Sequence, residues 1–182
     1  TAVTGAASFG SASGPITLGD NGGDTVDFGT LTFSSGGSVA ITEDSGTTLA
    51  GVNFAATSAT ITSAGTIDDA GGAMVSVGGL ATFADGAGAG ITLDNAGAHA
   101  FTTLTFNSTG AVVIVENDGT NLAGANTAAS LNLDSGGAVA DEVGATLVVT
   151  GLADISDAGG AGITLDNAGA NTYGTLTFNS TG

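Results

Sequence analysis

Apolar and polar residues alternate along short stretches of the chain, which is the spacing of β-strands. In the stretch TLTF, Leu31 and Phe33 share one face and Thr30 and Thr32 share the other, because successive side chains of a strand point to opposite sides. Gly, Asn, Asp and Ser separate these stretches, and such residues favour tight turns. No stretch has the spacing and end signals of a helix. The pattern therefore predicts an all-β protein of short strands.

The sequence also repeats itself. Residues 89–110 and 161–182 are nearly identical, and a looser copy covers residues 14–37. The alternating stretches recur several times within each unit, so we expect stacked repeats. Short strands joined by sharp bends predict a parallel β-solenoid of three to four coils per unit. The predicted organisation is one continuous repeat domain, 1–182, with units at approximately 1–74, 75–146 and 147–182, the last one partial.

A string of immunoglobulin-like β-sandwiches is the alternative architecture. A sandwich domain of that kind needs about 100 residues, which is longer than the repeat. The chain has no Trp, and each unit contains shorter echoes of itself. We therefore expect the solenoid, with inward Leu, Ile, Val and Phe stacked in rows along the axis.

The strongly negative charge of the chain limits which kinds of molecule it is expected to bind. The chain has 17 acidic residues, no Lys or Arg, and a formal net charge of −17. Nucleic acids and anionic lipids both require cationic side chains, so we expect neither as a partner. The absence of Cys excludes thiol chemistry and disulfides. No apolar run approaches the roughly 18 residues of a membrane span, so we expect no membrane insertion.

Calcium is the candidate cofactor, because it binds Asp, Asn and backbone oxygens in loops. Asp-Asn pairs recur at the same position of each repeat, although neither the EF-hand spacing nor the nonapeptide of calcium-binding β-rolls occurs. An Asx turn explains the same pairs without a metal. The candidate ligands are Asp20, Asn21, Asp94, Asn95, Asp166 and Asn167.

Two patterns bear on catalysis. His99 is the single histidine, and the residue in phase with it is Asn171, so we interpret the position as a turn residue. Adjacent acids such as Asp68 and Asp69 point to opposite faces of a strand, so they do not form the facing carboxylate pair of a glycosidase. We therefore expect no catalytic residue and no enzymatic activity.

Surface positions suggest three further features. Asn107 and Asn179 begin N-x-S/T sequons, candidate glycosylation sites in a secreted protein. Thr-x-Thr pairs could form outward ranks that bind ice, but the series is interrupted, so we interpret them as solvated strand faces. A final set is expected to point outward and to offer a lateral packing surface: Met74, Val113, Val115 and Val148.

The chain resembles very long bacterial surface proteins built from β-strand repeats, at the residues ITLDNAG, TLTFNSTGAV and the following I.E..GT.LAG. These proteins are similar to filamentous haemagglutinins and autotransporter passengers. The resemblance covers essentially the whole chain and carries no catalytic motif. It implies a right-handed parallel β-helix that is exported to the cell surface and acts as an adhesin or a fibre.

These observations together predict a structural protein. We expect an extracellular β-solenoid fibre, sheath or matrix protein at the cell surface, whose partner is itself through head-to-tail or lateral contacts. The alternative is the stalk of a cell-surface adhesin that binds glycans or surfaces.

Overall fold

The computed structural model describes residues 2–86, 88–95, 99–166 and 169–182. Its strands form one continuous sheet, and every strand pairing among these residues is parallel. No helix in this part of the chain is long and apolar enough to cross a membrane. The strands are β1 (Ala2–Ser11), β2 (Ile16–Leu18), β3 (Asp27–Ser35), β4 (Val39–Glu43), β5 (Thr47–Leu49), β6 (Val52–Ala55), β7 (Ser58–Ser63), β8 (Ile67–Asp69), β9 (Met74–Asp85), β10 (Ile91–Leu93), β11 (His99–Asn107), β12 (Ala111–Glu116), β13 (Thr120–Leu122), β14 (Ala125–Ala128), β15 (Ser130–Ser135), β16 (Val139–Asp141), β17 (Thr146–Asp157), β18 (Ile163–Thr164) and β19 (Thr172–Ser180).

The chain winds through about eight coils. On one side, which we call side 1, the strands follow one another by pairing in the order β1, β3, β5, β8, β10, β12, β15, β17 and β19. On the opposite side, side 2, the order is β2, β4, β7, β9, β11, β13, β16 and β18. The predicted parallel β-solenoid is confirmed, and the alternative of antiparallel sandwiches is wrong. Strands stack at about 4.8 Å, so eight coils span about 38 Å.

Neighbouring repeats lie half a coil apart. Leu31 is in β3 on side 1, whereas its equivalent in the next repeat, Leu104, pairs with Ala81 and Leu122 on side 2. Leu176, the next equivalent, is on side 1 again. Seven coils separate Leu31 from Leu176, so one repeat makes three and a half coils. Equivalent residues of neighbouring repeats therefore face opposite directions.

The half coil follows from the number of sides in each repeat, where a side of a coil means the part of that coil that lies on side 1 or on side 2. A side is either one strand, such as β4, or two short strands joined by a glycine bend, such as β5 and β6. Each repeat contains seven sides, and an odd number moves the next repeat to the other face of the solenoid. The seven sides of one repeat are 30–35, 39–43, 47–55, 58–63, 67–77, 80–85 and 91–101.

Inward side chains stack into the rows that the alternation predicts. Phe9 pairs with Phe33 on side 1, and Ile61 with Phe83 and then Phe106 on side 2. Phe33, Phe83 and Phe106 are completely buried. Each aromatic or aliphatic side chain buried in this way stabilises the fold by about 1.5–3 kcal/mol. Of the residues expected to point outward, Met74 and Val148 are exposed, and Val113 and Val115 are half-buried.

The glycine bends impose a backbone requirement that can be tested with a matched pair. Gly72 has a φ of 81°, a left-handed conformation, and its neighbour Gly71 has no positive φ. A Cβ atom at either position would meet no atom within 4 Å. Gly72→Ala is therefore expected to lower the free energy of unfolding by about 1–2 kcal/mol through strain alone. Gly71→Ala should be neutral or slightly stabilising. Urea denaturation of both variants measures the difference, and equal effects would contradict the assigned bend.

Candidate functional site

A buried polar ladder is the most distinctive group of side chains in the solenoid. It continues the inward apolar alternation at the end of the single-strand sides, where the chain turns. On side 2, Glu43 pairs with Ser63, and Ser63 with Asp85. On side 1 the equivalent residues pair in the same order. The polar ladder comprises Glu43, Ser63, Asp85 and Ser108 on side 2, and Glu116, Ser135, Asp157 and Ser180 on side 1; all of them are buried except Ser180, which is exposed.

The two glutamates link adjacent coils through hydrogen bonds to backbone N–H groups and hydroxyls. Oε1 of Glu116 accepts the Phe101 N–H at 2.8 Å, and its Oε2 accepts the Thr120 hydroxyl at 2.7 Å. Glu43 has the same two partners in its own repeat, the Phe28 N–H and the Thr47 hydroxyl. Burial is the main reason why the pKa of Glu116 is raised from 4.5 to about 7, and the pKa of Glu43 is also raised by burial. These carboxylates consequently titrate closer to neutral pH than an ordinary glutamate does.

The aspartates of the ladder hold the wide turns that follow them. Oδ2 of Asp85 accepts the Gly90 N–H at 2.6 Å and the Ser108 hydroxyl at 2.9 Å. Asp157 binds the Gly162 N–H and the Ser180 hydroxyl in the equivalent way. The backbone N–H of Gly162 is the main cause of the lowered pKa of Asp157. The ladder is thus a set of turn caps, because its acids bind backbone N–H groups and hydroxyls at the turns and in the adjoining coils.

A buried asparagine links a two-strand side to the adjoining coils, and it occurs in both repeats. The side chain of Asn126 is completely buried; its Oδ1 accepts the Phe106 N–H at 3.0 Å, and its Nδ2 donates to the carbonyls of Ala123 and Thr146. Asn53 makes the equivalent three contacts in the preceding repeat. The identical motif LAG-x-N in both repeats was the available signal, but sequence analysis did not single it out.

His99 is not the turn residue that the sequence suggested. It begins strand β11 and is completely buried, and its Nε2 lies 2.9 Å from Oδ2 of Asp69, which is also buried. Its ring stacks on Phe101, at 6.2 Å between ring centroids. Asn95 completes this corner by donating its side-chain N–H groups to Asp69 and to the Ala70 carbonyl. Since Asn171 accepts the Leu147 N–H at the equivalent position, the position is a corner fastener in both repeats.

Adjacent acids do point in opposite directions, as expected. Asp68 is exposed and Asp69 is buried, and Asp141 and Glu142 show the same division. No facing pair across a cleft results from these positions.

The candidate calcium ligands among the described residues do not come together. Asp20 follows β2 and Asp166 follows β18, seven coils apart on side 2, whereas Asp94 follows β10 on side 1. Asn21 donates to the side chain of its neighbour Asp20 at 3.2 Å. Asn167 lies outside the described residues. In the part of the chain that is described, no group of three or more His, Cys, Asp or Glu could hold a metal ion. Calcium binding at the pairs stays a prediction.

The sequons lie on strands that face opposite directions. Asn107 is half-buried at the end of β11, and its Oδ1 accepts the Thr127 hydroxyl at 3.4 Å. Asn179 is exposed in β19. Thr-x-Thr pairs are divided in the same way, with residues 60 and 62 on side 2 and residues 175 and 177 on side 1. Glycans at the sequons of successive repeats, or binding surfaces built from their Thr-x-Thr pairs, would therefore lie alternately on side 1 and side 2.

The parallel coils and the buried side chains that link them define the class of protein. It is a repeat β-solenoid whose interior polar groups bind the backbone of adjoining coils. A family model described as "Repeats of unknown function (DUF5649)" matches residues 36–107 and 109–179. The chain belongs to this repeat family. The two matched units have 72 and 71 residues, close to the offset of 72 residues between the copies 89–110 and 161–182. No curated protein and no solved structure matches the chain.

Proposed function

We propose that the chain is a structural protein, a rigid rod segment of an extracellular fibre, sheath or matrix. The observation that supports this most directly is the uninterrupted parallel pairing from β1 to β19. Backbone hydrogen bonds of such a solenoid run along its axis, so pulling on the rod loads all of them. Buried fasteners between coils, such as Asn126 and Glu116, add side-chain links in the same direction.

Surface chemistry agrees with a durable external material. The absence of Lys and Arg leaves no cleavage site for trypsin-like proteases. A net charge of −17 keeps rods apart until salt or divalent cations screen it. The resemblance to bacterial surface proteins supports a location at the cell surface.

Further coils can extend the rod at either end. The outer edges of β1 and β19 have no strand partner among the described residues, and an unpaired parallel edge is a template for another strand. Such a coil can belong to the same polypeptide or to another copy that stacks head to tail. Both arrangements give the same continuous rod.

Negative-stain electron microscopy of the purified chain, with and without calcium, tests the proposal. We expect elongated particles or filaments, more of them when divalent cations screen the charge. Globular particles under every condition would overturn it. Retention of single rods on a glycan array, without filaments, would instead favour the stalk of an adhesin.

A further inference from the structure

Large apolar side chains are exposed mainly in two places on the rod. Apart from the two in the last strand, β19, seven such side chains are exposed in the part of the chain that is described, and six of them lie at two opposite edges of the solenoid. Scattered exposed apolar residues need no explanation, but a cluster marks an interaction surface. The six are Val52, Phe54, Met74 and Leu80 at one edge, and Val148 and Leu152 at the other.

The first group forms an apolar ridge, by which we mean Val52, Phe54, Met74 and Leu80. Val52 in β6 pairs directly with Met74 in β9, so the two side chains are neighbours on the outer face. Phe54 is two residues further along β6 and is 40% exposed. Leu80 follows the tight turn that leads from side 1 to side 2. The ridge therefore runs along this edge over two adjoining coils.

Val148 of the second group lines an edge groove of about 330 Å³. This volume is at the lower end of the roughly 300–1,000 Å³ of ligand pockets. Thr150 lies where the chain passes from side 2 to side 1, and Leu152 follows directly after this turn. The residues that line the edge groove are Ser108, Thr109, Thr127, Ala128, Ala129, Val148 and Thr150.

The apolar ridge and the edge groove occur at equivalent positions of neighbouring repeats. Thr127 in the groove is the equivalent of Phe54 in the ridge, which lies one repeat earlier. Because neighbouring repeats differ by half a coil, the two versions lie at opposite edges of the rod. One chain therefore has an exposed aromatic ring on one edge and a groove on the other.

Charge determines which partner fits. No residue of the apolar ridge or of the edge groove is acidic, in a chain that has 17 acidic residues and no Lys or Arg. A second copy of this chain would meet like-charge repulsion over most of its surface, and least of it here. We propose that the apolar ridge of one copy docks in the edge groove of a second copy. Such a contact joins different surfaces, so it continues sideways and builds a row of rods.

This inference adds a lateral partner to the proposed scaffold and rests on that proposal only for its biological role. The apolar ridge offers four side chains, against about 20–30 residues per partner in a standard interface, so we expect weak association that needs high protein concentration. Added salt should strengthen it, because salt screens the repulsion between acidic rods.

Two variants that exchange the repeat's own residues test the contact. Phe54→Thr removes the ring from the ridge, and Thr127→Phe fills the groove; in each case the other repeat already carries the new residue. In sedimentation velocity experiments, the natural chain should associate as its concentration rises. Each variant alone should associate about tenfold more weakly, since an aromatic anchor dominates a small interface. An equimolar mixture of the two variants should regain association, because one supplies grooves and the other supplies ridges.

Several outcomes would overturn the inference. These are a natural chain that stays monomeric at high salt, variants that associate as strongly as the natural chain, or a mixture that gains nothing. Head-to-tail stacking would be unaffected by Phe54→Thr, so it is distinguished from the lateral contact. Equal circular dichroism spectra of the three proteins confirm that the fold is retained. Rods that do not associate sideways would refute this inference alone, whereas globular particles would refute the scaffold.

Discussion

Acidification from pH 8 to pH 4.5 is expected to stabilise the chain, with Glu116 contributing about 3 kcal/mol. Its pKa is about 7 in the folded chain, against 4.5 for an ordinary glutamate. The raised pKa means that the folded state binds this proton more tightly than the unfolded state does. The stabilisation is complete below pH 4.5 and is lost as the pH rises through 7.

Two further groups shape the pH profile. Glu43 acts in the same direction, because burial raises its pKa as well. Asp157 acts in the opposite direction: its pKa lies below 3.8 in the folded chain, so its contribution is lost on stronger acidification. The free energy of unfolding should therefore be largest near pH 4. Relief of repulsion among the 17 acidic residues reinforces the trend on the way down from pH 8.

Glu116→Gln isolates the contribution of that carboxylate. The amide oxygen can still accept the Phe101 N–H, and the amide nitrogen can donate to the Thr120 hydroxyl oxygen. In urea denaturation we expect the variant to be about 3 kcal/mol more stable than the natural chain at pH 8, and equally stable at pH 4.5. Glu142→Gln is the matched control, since Glu142 is exposed and should change little. A variant less stable than the natural chain at pH 8 would show that Glu116 is not the destabilising charge.

Sequence alternation predicted the strands and the inward rows, because these depend on a period of two alone, and the number of alternating stretches in each unit predicted a range of three to four coils per repeat. The same period already contained the polar ladder. Val39 and Ile41 are followed two residues later by Glu43, and Val112 and Ile114 by Glu116. Acidic residues are usually assigned to the surface, so the sequence analysis did not recognise that these two glutamates continue the buried rows. Burial was decided by position on the strand, and the backbone N–H groups at the turn made the position tolerable for a carboxylate.

The half coil could not be read from the sequence, because the repeat length does not state how many sides it contains. A bend such as the one at Gly51 lies within a side, whereas the turn that follows Ala55 separates two sides, and both are short breaks between strands. Only the register distinguishes them. The candidate calcium pairs illustrate the consequence, since Asp20 and Asp94 are in phase in the sequence and lie on opposite faces of the rod.

Replacing Asn126 by Leu is expected to lower the free energy of unfolding by about 4 kcal/mol. Leu has a similar size, so the change leaves little cavity. It does leave the Phe106 N–H and the Thr146 carbonyl without the partner that Asn126 provides, whereas the Ala123 carbonyl keeps the Thr105 hydroxyl as a donor. An unsatisfied buried backbone group costs about 1–3 kcal/mol, and two are created at once.

Asn53→Leu should have the same effect, because Asn53 makes the same three contacts in the other repeat. Asn132→Leu is the matched control: Asn132 points outward from β15, so its replacement should stay within about 0.5 kcal/mol. Hydrogen exchange adds a local readout, since the Phe106 amide should lose protection in Asn126→Leu and keep it in Asn132→Leu. Coils of a solenoid contact only their neighbours, so a lost fastener should open the coils beside it first. If the amide stays protected and stability is unchanged, the buried asparagines do not fasten the coils, and axial strength must come from the backbone pairing alone.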